Sequence, residues 1–518
     1  MALAGAVDDA RATTFCVPSF HAACPNSGGN VAKADVEEAM GLNSTDGIAD
    51  QVIIAAGTFT ENSTYEPEPA TDSETFEPKG SDPLTVIGAG PAATVLTTPA
   101  TGNVFIVNLS YNNSRAITIK DLTVRIPASL PDGLGAAFQL DGDILDNVDI
   151  VSRNPDSGGV VAAVGAGNVF RNGETRGESG GNVDDPMCAC STNGSLLVED
   201  STLTGATWAL QASAVGAQLT TRRVRVVNAK NYGVIVTRGS ATVENSVLGT
   251  VDGIGFYVSA SADNGSIVAN HVTAVDTGSS SPAMEIQKTS GSGNASLTVS
   301  NSILRGFSSG YTVVAAAGPG IGVATLIARY SNFPKAGVAA GVVDVATGNV
   351  DVDPKLLGNG SLPPSSPSVD AGDPAAGLTT DFLGALRPVD GNGDGIARRD
   401  QGAFEYQPPA PPGGGGGGGG GGGTVTPPSD TTAPQTTIAK GPGKKLAKGK
   451  AKFSFASSES GSRFECKLDG RKVAACKSPK RYSGLTAGRH TFKVWATDAA
   501  GNKDPTPAKR RFQVPAAD

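Results

Sequence analysis

The chain has 518 residues, a formal net charge of −8, 69 Gly, 6 Cys and only 5% aromatic residues. That mixture is too lean for a helical protein and suits an all-β chain rich in tight turns, and the length with a long glycine tract calls for two or more domains. No run approaches the roughly 18 apolar residues of a membrane-spanning helix, and the charge is uneven: residues 430–518 hold 19 Lys+Arg against 7 Asp+Glu, so that end is basic and the remainder acidic.

Opposite charge on two parts of one chain speaks of partners or of separate solubility tuning, not of fold. The opening "MALAGAVDDARATTFC" lacks a basic, then apolar, signal-peptide front, yet Ala10-Arg11-Ala12 has the small-residue pattern of a cleavage site. Residues 1–27 are therefore expected to be an export remnant and lead-in. Six cysteines fall as local pairs, Cys16 with Cys24, Cys188 with Cys190 and Cys466 with Cys476. Of the three histidines only His21 lies near a pair, so zinc spacing is missing, and disulfides in an oxidising compartment are expected: a secreted or cell-surface protein. Cys188 and Cys190 close so short a loop that a disulfide there would be strained.

"GGNVAKADVEEAMGL" predicts a helix from Val31 to Met40, capped by Asn30, with Ala32, Val36 and Ala39 on one face. "DQVIIAAGTFTE" and "DPLTVIGAG" follow as strands ending in turns. A unit of two short β-rich runs about a polar residue then recurs: "ITIKDLTVRI", "DILDNVDIVS", "SLLVEDSTLTG", "AQLTTRRVRVV", "ATVENSVLGT", "GSIVANHVTAV", "SLTVSNSILRG" and "TLIARYSNF". Their central residues are Asp121, Asn147, Asp200, Arg222, Asn245, Asn270, Asn301 and Tyr330, with a diverged copy near Arg171. Such a period means stacked units that bury an apolar face only against their neighbours. The expected fold is all-β, a right-handed parallel β-helix with a polar ladder at one corner and the short helix capping the first coil. A propeller would need four strands and a repeated blade signature per unit.

After the last coil come Ser366-Pro-Ser-Val-Asp-Ala-Gly372, Thr380-Asp381-Phe-Leu-Gly384, Arg387-Pro388 and Asp400-Gln-Gly-Ala-Phe-Glu405. These motifs resemble the closing segment of secreted bacterial β-helix proteins of the pectin-lyase-like superfamily, including the group related to polymorphic outer-membrane proteins. "VIIAAGTFTE…LTVIGAG" resembles the same superfamily's first coil. The resemblance implies a β-helix over 28–407 with a closing segment at 363–406 placed at its end. A Pro/Gly linker follows at 408–429. Residues 430–518 alternate apolar and polar in short runs, as in a β-sandwich. "FECKLDG" and "GRHTFKVWATDAAGN" resemble bacterial immunoglobulin-like modules, which serve as spacers or adhesion units; Cys466 and Cys476 would staple a hairpin there.

Asp390, Asn392, Asp394 and Gly395 space themselves like the start of a calcium loop, but position 12 is Gln401, with Asp400 one residue early. A weak Ca2+ site or a plain Asx/Gly turn both fit, and no cofactor is required. For catalysis the superfamily implies polysaccharide lyases or glycosidases, which need carboxylates and a base. Candidates are Asp184 and Asp185, Asp146 with Asp149, Arg223 and Arg225 (strand alternation puts Arg222 opposite both), and His271. The polygalacturonase-type motifs are missing beyond the bare Asp184-Asp185 pair. A solvated turn is the preferred reading of Asp184 and Asp185 and a surface or ladder position that of His271, while the arginine face fits an anionic sugar and a solubilising edge equally. Lys440, Lys444, Lys445, Lys448, Lys450 and Lys452 form a basic segment suited to an anionic polymer: a polysaccharide or cell-wall polymer rather than nucleic acid, unless it docks on the acidic β-helix. The expected role is binding or adhesion by a monomer at a glycan-rich surface. A calcium-assisted lyase or glycosidase and a passive stalk are the alternatives.

Overall fold

The computed structural model describes residues 12–27, 30–41, 48–60, 83–97, 105–109, 117–126, 136–152, 161–177, 189–191, 194–205, 207–375, 377–408, 436–442, 451–457, 463–469, 473–476, 478, 480–483, 485–497, 503–504 and 506–515. It has two compact units, Met1–Pro409 and Ala410–Asp518.

The first unit is a parallel β-solenoid of the right-handed type with three faces. The first face stacks strands such as Ser195–Glu199, Gln218–Arg222, Gly239–Glu244, Gly265–Asn270, Ala295–Ser300 and Ala324–Arg329, each parallel to the next. After one bend residue the second face follows, with Thr202–Thr204, Arg225–Val227, Val247–Val251, Thr273–Asp276 and Ile303–Arg305. Ile117–Ile126 and Ile144–Ser152 run through both faces. The third face holds Trp208–Ala212, Tyr232–Val236, Ile254–Ser259, Pro282–Lys288 and Ser309–Ala315. Alternation sends Leu196, Val198, Leu219, Val243, Ile267, Leu297 and Leu326 inward, where Phe138, Phe170, Phe256 and Phe333 fill the axis. Each such side chain contributes about 1.5–3 kcal/mol on burial, so stacking itself supplies the core that no coil has alone.

The bend between first and second faces is the polar ladder. Asp121, Asn147, Asn172, Asp200, Arg223, Asn245, His271, Asn301 and Tyr330 all have φ between 44° and 59°. One left-handed residue turns the strand with no loop, and Asn and Asp tolerate that conformation best. The ladder is bonded along the axis: Asn147 Nδ2 donates to Asp121 Oδ1 at 2.6 Å and Asn301 Nδ2 to Asn270 Oδ1 at 2.8 Å. The serine that follows several of these residues (Ser201, Ser246, Ser302, Ser331) folds its hydroxyl back onto the carbonyl two residues earlier. The expected positions Arg171, Arg222 and Asn270 are each one residue early; Asn172, Arg223 and His271 make the bend.

Asn147→Ala is expected to cost about 1–2 kcal/mol, from left-handed strain plus the lost hydrogen bond. Asn147→Gly keeps the backbone conformation without strain and loses only the hydrogen bond. Urea unfolding of the two variants should rank glycine above alanine; the reverse order would remove the φ argument.

Two expectations at the N-terminus are corrected. The helix is Val36–Gly41, not Val31–Met40, because Val31–Ala32 pairs as a strand with Phe15–Cys16 and Asp35 caps the helix through Glu38 N at 2.7 Å. Asn30 donates to Pro25 O instead. Val36, Ala39 and Met40 are buried against Phe15, Val17, Val52 and Ile54. The sheet also starts earlier than residue 28, since Thr14–Val17 lies parallel to Asp50–Ile54 and Cys16 is bonded to Cys24.

The closing segment does more than end the solenoid: it lies along the outside of the second face. Val247 packs with Phe382, Ala403 and Phe404, and Ile303 packs with Leu356, Leu362, Val369 and Tyr406. Gly402 shows how tight the fit is: its φ is +90°, and a Cβ there would stand 2.7 Å from Thr273 Oγ1 and 2.9 Å from Ile303 Cδ1.

The second unit has two antiparallel sheets. One joins Thr436–Lys440, Ala451–Ser457 and Lys480–Tyr482; the other joins Ala474–Cys476, Arg463–Leu468, Gly488–Thr497 and Ala508–Val514. Phe453, Phe455, Phe492 and Phe512 form its core, and Cys466 is bonded to Cys476 across a strand pair.

Candidate functional site

The residues singled out for chemistry are mostly occupied. Asp184, Asp185 and Cys188 lie outside the described residues. Arg223 is the bend residue, and its guanidinium forks onto Asp200 with two 2.7 Å hydrogen bonds. The bend breaks strand alternation, so Arg222 and Arg225 point outward from different faces and Arg223 does not share a side with Arg225. Arg222 pairs with Glu244 at 3.3 Å. Arg225 lies over the Phe382 ring, 4.9 Å from its centroid, beneath the closing segment. Neither arginine offers the free guanidinium that gripping a sugar carboxylate would need. Asp146 is held by Asn172 and Arg171 at 2.7 and 3.0 Å; burial pushes its carboxyl up, but these donors bring it below the usual range.

His271 is fully buried. Arginine only donates, so Nδ1 facing Arg387 is the acceptor and the imidazole is the neutral Nε2–H form. Burial first, then the charges of Arg387 and Arg399, hold its pKa well below the ordinary value. It is a ladder residue seated under a strap, out of reach of any substrate.

The motif residues of the closing segment are its scaffold. Arg387 reaches Ala403 O at 2.9 Å and stands 3.6 Å from Glu405, both side chains wholly buried. Asp381 accepts from Leu383 N, Ala385 N and Glu405 N. Asp370 accepts from Gly391 N and Asn392 N, and Asp400 from Asp370 N and Tyr406 N. In the loop, Asp390 accepts from the amides of Gly393, Asp394 and Gly395, Asn392 from Asp394, and Asp394 from Ile396 and from Arg398. The carboxylates thus cap backbone donors as an Asx turn does. Asp400, 1% exposed, faces away into the segment's core, and among the described residues no three His, Cys, Asp or Glu side chains are grouped to hold a metal.

Two buried groups here titrate in opposite senses. Burial, then the charge of Glu405, raises Asp400 from 3.8 to about 8. The folded state therefore keeps a proton that the unfolded chain releases, and stability falls as pH rises from about 4 through 8. Neutral His271 refuses a proton that the unfolded chain takes up, so stability also falls as pH drops below the ordinary 6.5. Melting temperatures from pH 5 to 9 should fall at both ends, and Asp400→Asn should flatten the alkaline limb. An unchanged alkaline limb would show that Asp400 does not carry it.

A half-buried polar-aromatic surface lies on the third face, which the sequence reading missed. Register places Gln211, Ile235, Tyr257, Glu285 and Thr312 in one row, with Ser259 and Gln287 beside it; Ile235 is buried and the others are half-buried. The rings of Tyr232 and Tyr257 are 5.0 Å apart at 51°, and Gln287 Nε2 donates to Glu285 Oε1 at 2.6 Å. Burial, with the charge of Glu285, raises both phenol pKa values, in Tyr257 against a hydrogen bond from Ser259. The phenols stay protonated donors beside a carboxylate acceptor. Coils repeat every ~4.8 Å along the axis, so these side chains form a lengthwise row of amide, ring, carboxylate and hydroxyl groups with the buried Ile235 among them.

The corner ladder and three parallel faces define the chain's first unit as a parallel β-solenoid, in line with the pectin-lyase-like resemblance of its tail and first coil. No known family profile matches the chain, and no curated protein matches it. Among solved structures, pectate lyase Pel9A is similar over 77% of this chain and 97% of its own, at 11% identity and a TM-score of 0.36. The mannuronan C-5 epimerase AlgE6 A-module of Azotobacter vinelandii is similar over 59% of this chain and 91% of its own, at 12% identity and a TM-score of 0.32. The catalytic domain of a GH87 alpha-1,3-glucanase, in complex with tetrasaccharides, is similar over 58% of this chain at 13% identity and a TM-score of 0.32; the chain spans only 64% of that domain. All three are polysaccharide-acting enzymes.

Proposed function

We propose that this is an exported glycan-binding protein whose solenoid holds a polysaccharide along its third face. The observation that carries the reading is the Tyr232–Tyr257–Glu285 cluster, half-buried on that face while Arg223, Arg225 and His271 are engaged in the scaffold. The two disulfides support an oxidising destination at the cell surface or beyond it. The C-terminal unit, two antiparallel sheets with a basic balance, reads as an immunoglobulin-like attachment module for an anionic polymer. Of the basic segment, Lys452 is exposed on Ala451–Ser457, Lys440 ends Thr436–Lys440, and Lys444, Lys445, Lys448 and Lys450 lie outside the described residues.

A second reading, a lyase or glycosidase, has one observation of its own. Asp149 and Glu174 are register neighbours on the second face, and burial, then the charge of Glu174, raises the Asp149 carboxyl. Two neighbouring carboxyl groups, one raised by burial and by the charge of the other, are the kind of pair acid–base hydrolysis uses. Calcium remains a proposal attached to this reading.

Incubating the full chain with acidic and neutral polysaccharides, with and without calcium, and sizing the polymers separates the two. Co-elution without shortening is expected. Shortening that disappears in Asp149→Asn would replace the binding reading by the enzymatic one.

A further inference from the structure

The four-stranded sheet of the C-terminal unit buries one side and leaves the other open. Cys466, Leu468, Phe492, Val494, Phe512 and Val514 face the core. Alternation therefore sends Lys467, Lys493, Lys509 and Arg511 to the outer side. Register makes Lys467 the direct partner of Lys493, and Lys493 the direct partner of Lys509. Three ammonium groups thus cross three strands in one straight row, and Arg511 stands opposite Thr491 on the same side.

Like charges directly opposite one another destabilise a sheet, and here the pairing occurs twice in succession. Among the described residues none of these four cations has a carboxylate partner. Glu465, on the same side opposite Trp495, is taken by Lys503, whose ammonium also lies 5.4 Å from the Trp495 ring centroid. The row is a folding cost that an anionic partner would remove.

We infer that this outer face is where the C-terminal unit holds an anionic polysaccharide. The chain lies across the strands, so that acid groups on successive sugars meet the ammonium groups of Lys467, Lys493 and Lys509, while the Trp495 ring packs on a sugar. Lysine supplies point charges without a fixed fork, which suits a flexible polymer whose acid groups are not held in one orientation. The Cys466–Cys476 disulfide on the adjoining strand pair places the unit in an oxidising compartment, where glycans rather than nucleic acids are the available polyanions. The inference rests on the reading of this unit as the anionic attachment module, and it moves the contact from the Lys440–Lys452 segment to the sheet.

The test measures binding of the full chain to polygalacturonate across a salt series. The first variant combines Lys467→Gln, Lys493→Gln and Lys509→Gln, which keeps the aliphatic stems and relieves the repulsion, so folding is retained or improved. A second combines Lys444→Gln, Lys445→Gln, Lys448→Gln and Lys450→Gln. The first is expected to lose about tenfold or more in affinity with a flatter salt dependence, and the second to bind nearly as the wild type does. Trp495→Ala should weaken polygalacturonate binding several-fold and leave duplex DNA binding unchanged. Wild-type affinity in the first variant, with loss in the second, would overturn the assignment while leaving the attachment reading intact. No binding of polygalacturonate by the wild type would overturn both. Equal binding of DNA and polygalacturonate, with Trp495→Ala affecting neither, would overturn the glycan assignment in favour of a charge-only surface.

Discussion

Arg387→Met is expected to lower the unfolding free energy by about 3–5 kcal/mol, the cost of leaving buried charges without their partner. The Arg387 guanidinium lies between His271 of the ladder and Glu405 of the closing segment, with Asp381 close enough to contribute charge. Burial already raises Glu405 above the usual carboxyl range, against the opposing charge of Arg387, and raises Asp400 to about 8. Removing the cation strips an opposing charge that offsets burial at Glu405. It also frees Ala403 O, which Arg387 now bonds at 2.9 Å. Adding Glu405→Gln should recover part of the loss, since a neutral amide needs no counter-charge; the non-additivity of the pair measures the coupling. Denaturant unfolding gives the energies, and limited proteolysis should show cuts between residues 353 and 407 before cuts in the stacked coils. A variant that unfolds with wild-type energy and cleavage pattern would mean that apolar contacts at Val247 and Ile303 hold the strap by themselves.

The double variant Tyr232→Ala with Tyr257→Ala is expected to lose about 2 kcal/mol of glycan affinity, roughly thirtyfold, as happens when the aromatic centre of a binding surface is truncated. Both rings are half-buried on the outside of the solenoid, and the inward neighbours Val234, Phe256 and Val258 stay in place. The coil should therefore fold as before, with a cost to stability smaller than that of a core truncation. Tyr232→Phe with Tyr257→Phe keeps the ring faces and removes the hydroxyls, so it should bind between the two. Co-sedimentation or calorimetry with the polymer found to co-elute measures the difference. Wild-type affinity in the alanine pair would move the ligand off the third face.

What the sequence disclosed follows from which physical signals are local. The ladder was legible because Asp121, Asn147, Asp200, Asn245 and Asn301 are the residue types that tolerate a left-handed turn, and at Asp200, Asn245 and Asn301 a serine completes it. At "NH" that preference misled, and at "RR" it gave no guide. Asn270 attracts the turn by type, yet it pairs with Ser300 and Glu244 as the last residue of a strand, and His271 takes the strained position. The third face was hidden because its strands do not alternate cleanly: Gly233 and Val234 both point inward, as do Gly255 and Phe256. Tyr232 therefore shows no period-2 signature, and Tyr257 alternates only with the residues from Phe256 to Ser259. The closing motif was readable as a string, but its place was not. Nothing in "RPVDGNGDGIARRDQGAFEY" encodes that Arg387 will meet His271, 116 residues earlier.

The most direct measurement is a crystal structure of the full chain with an oligosaccharide from the polymer that co-elutes with it. The expected result is an intact sugar chain along the third face, one ring packed on Tyr257 and hydroxyls within hydrogen-bonding distance of Glu285 and Gln287. Density for a cleaved product on the second face beside Asp149 and Glu174 would contradict the account and make the solenoid an enzyme.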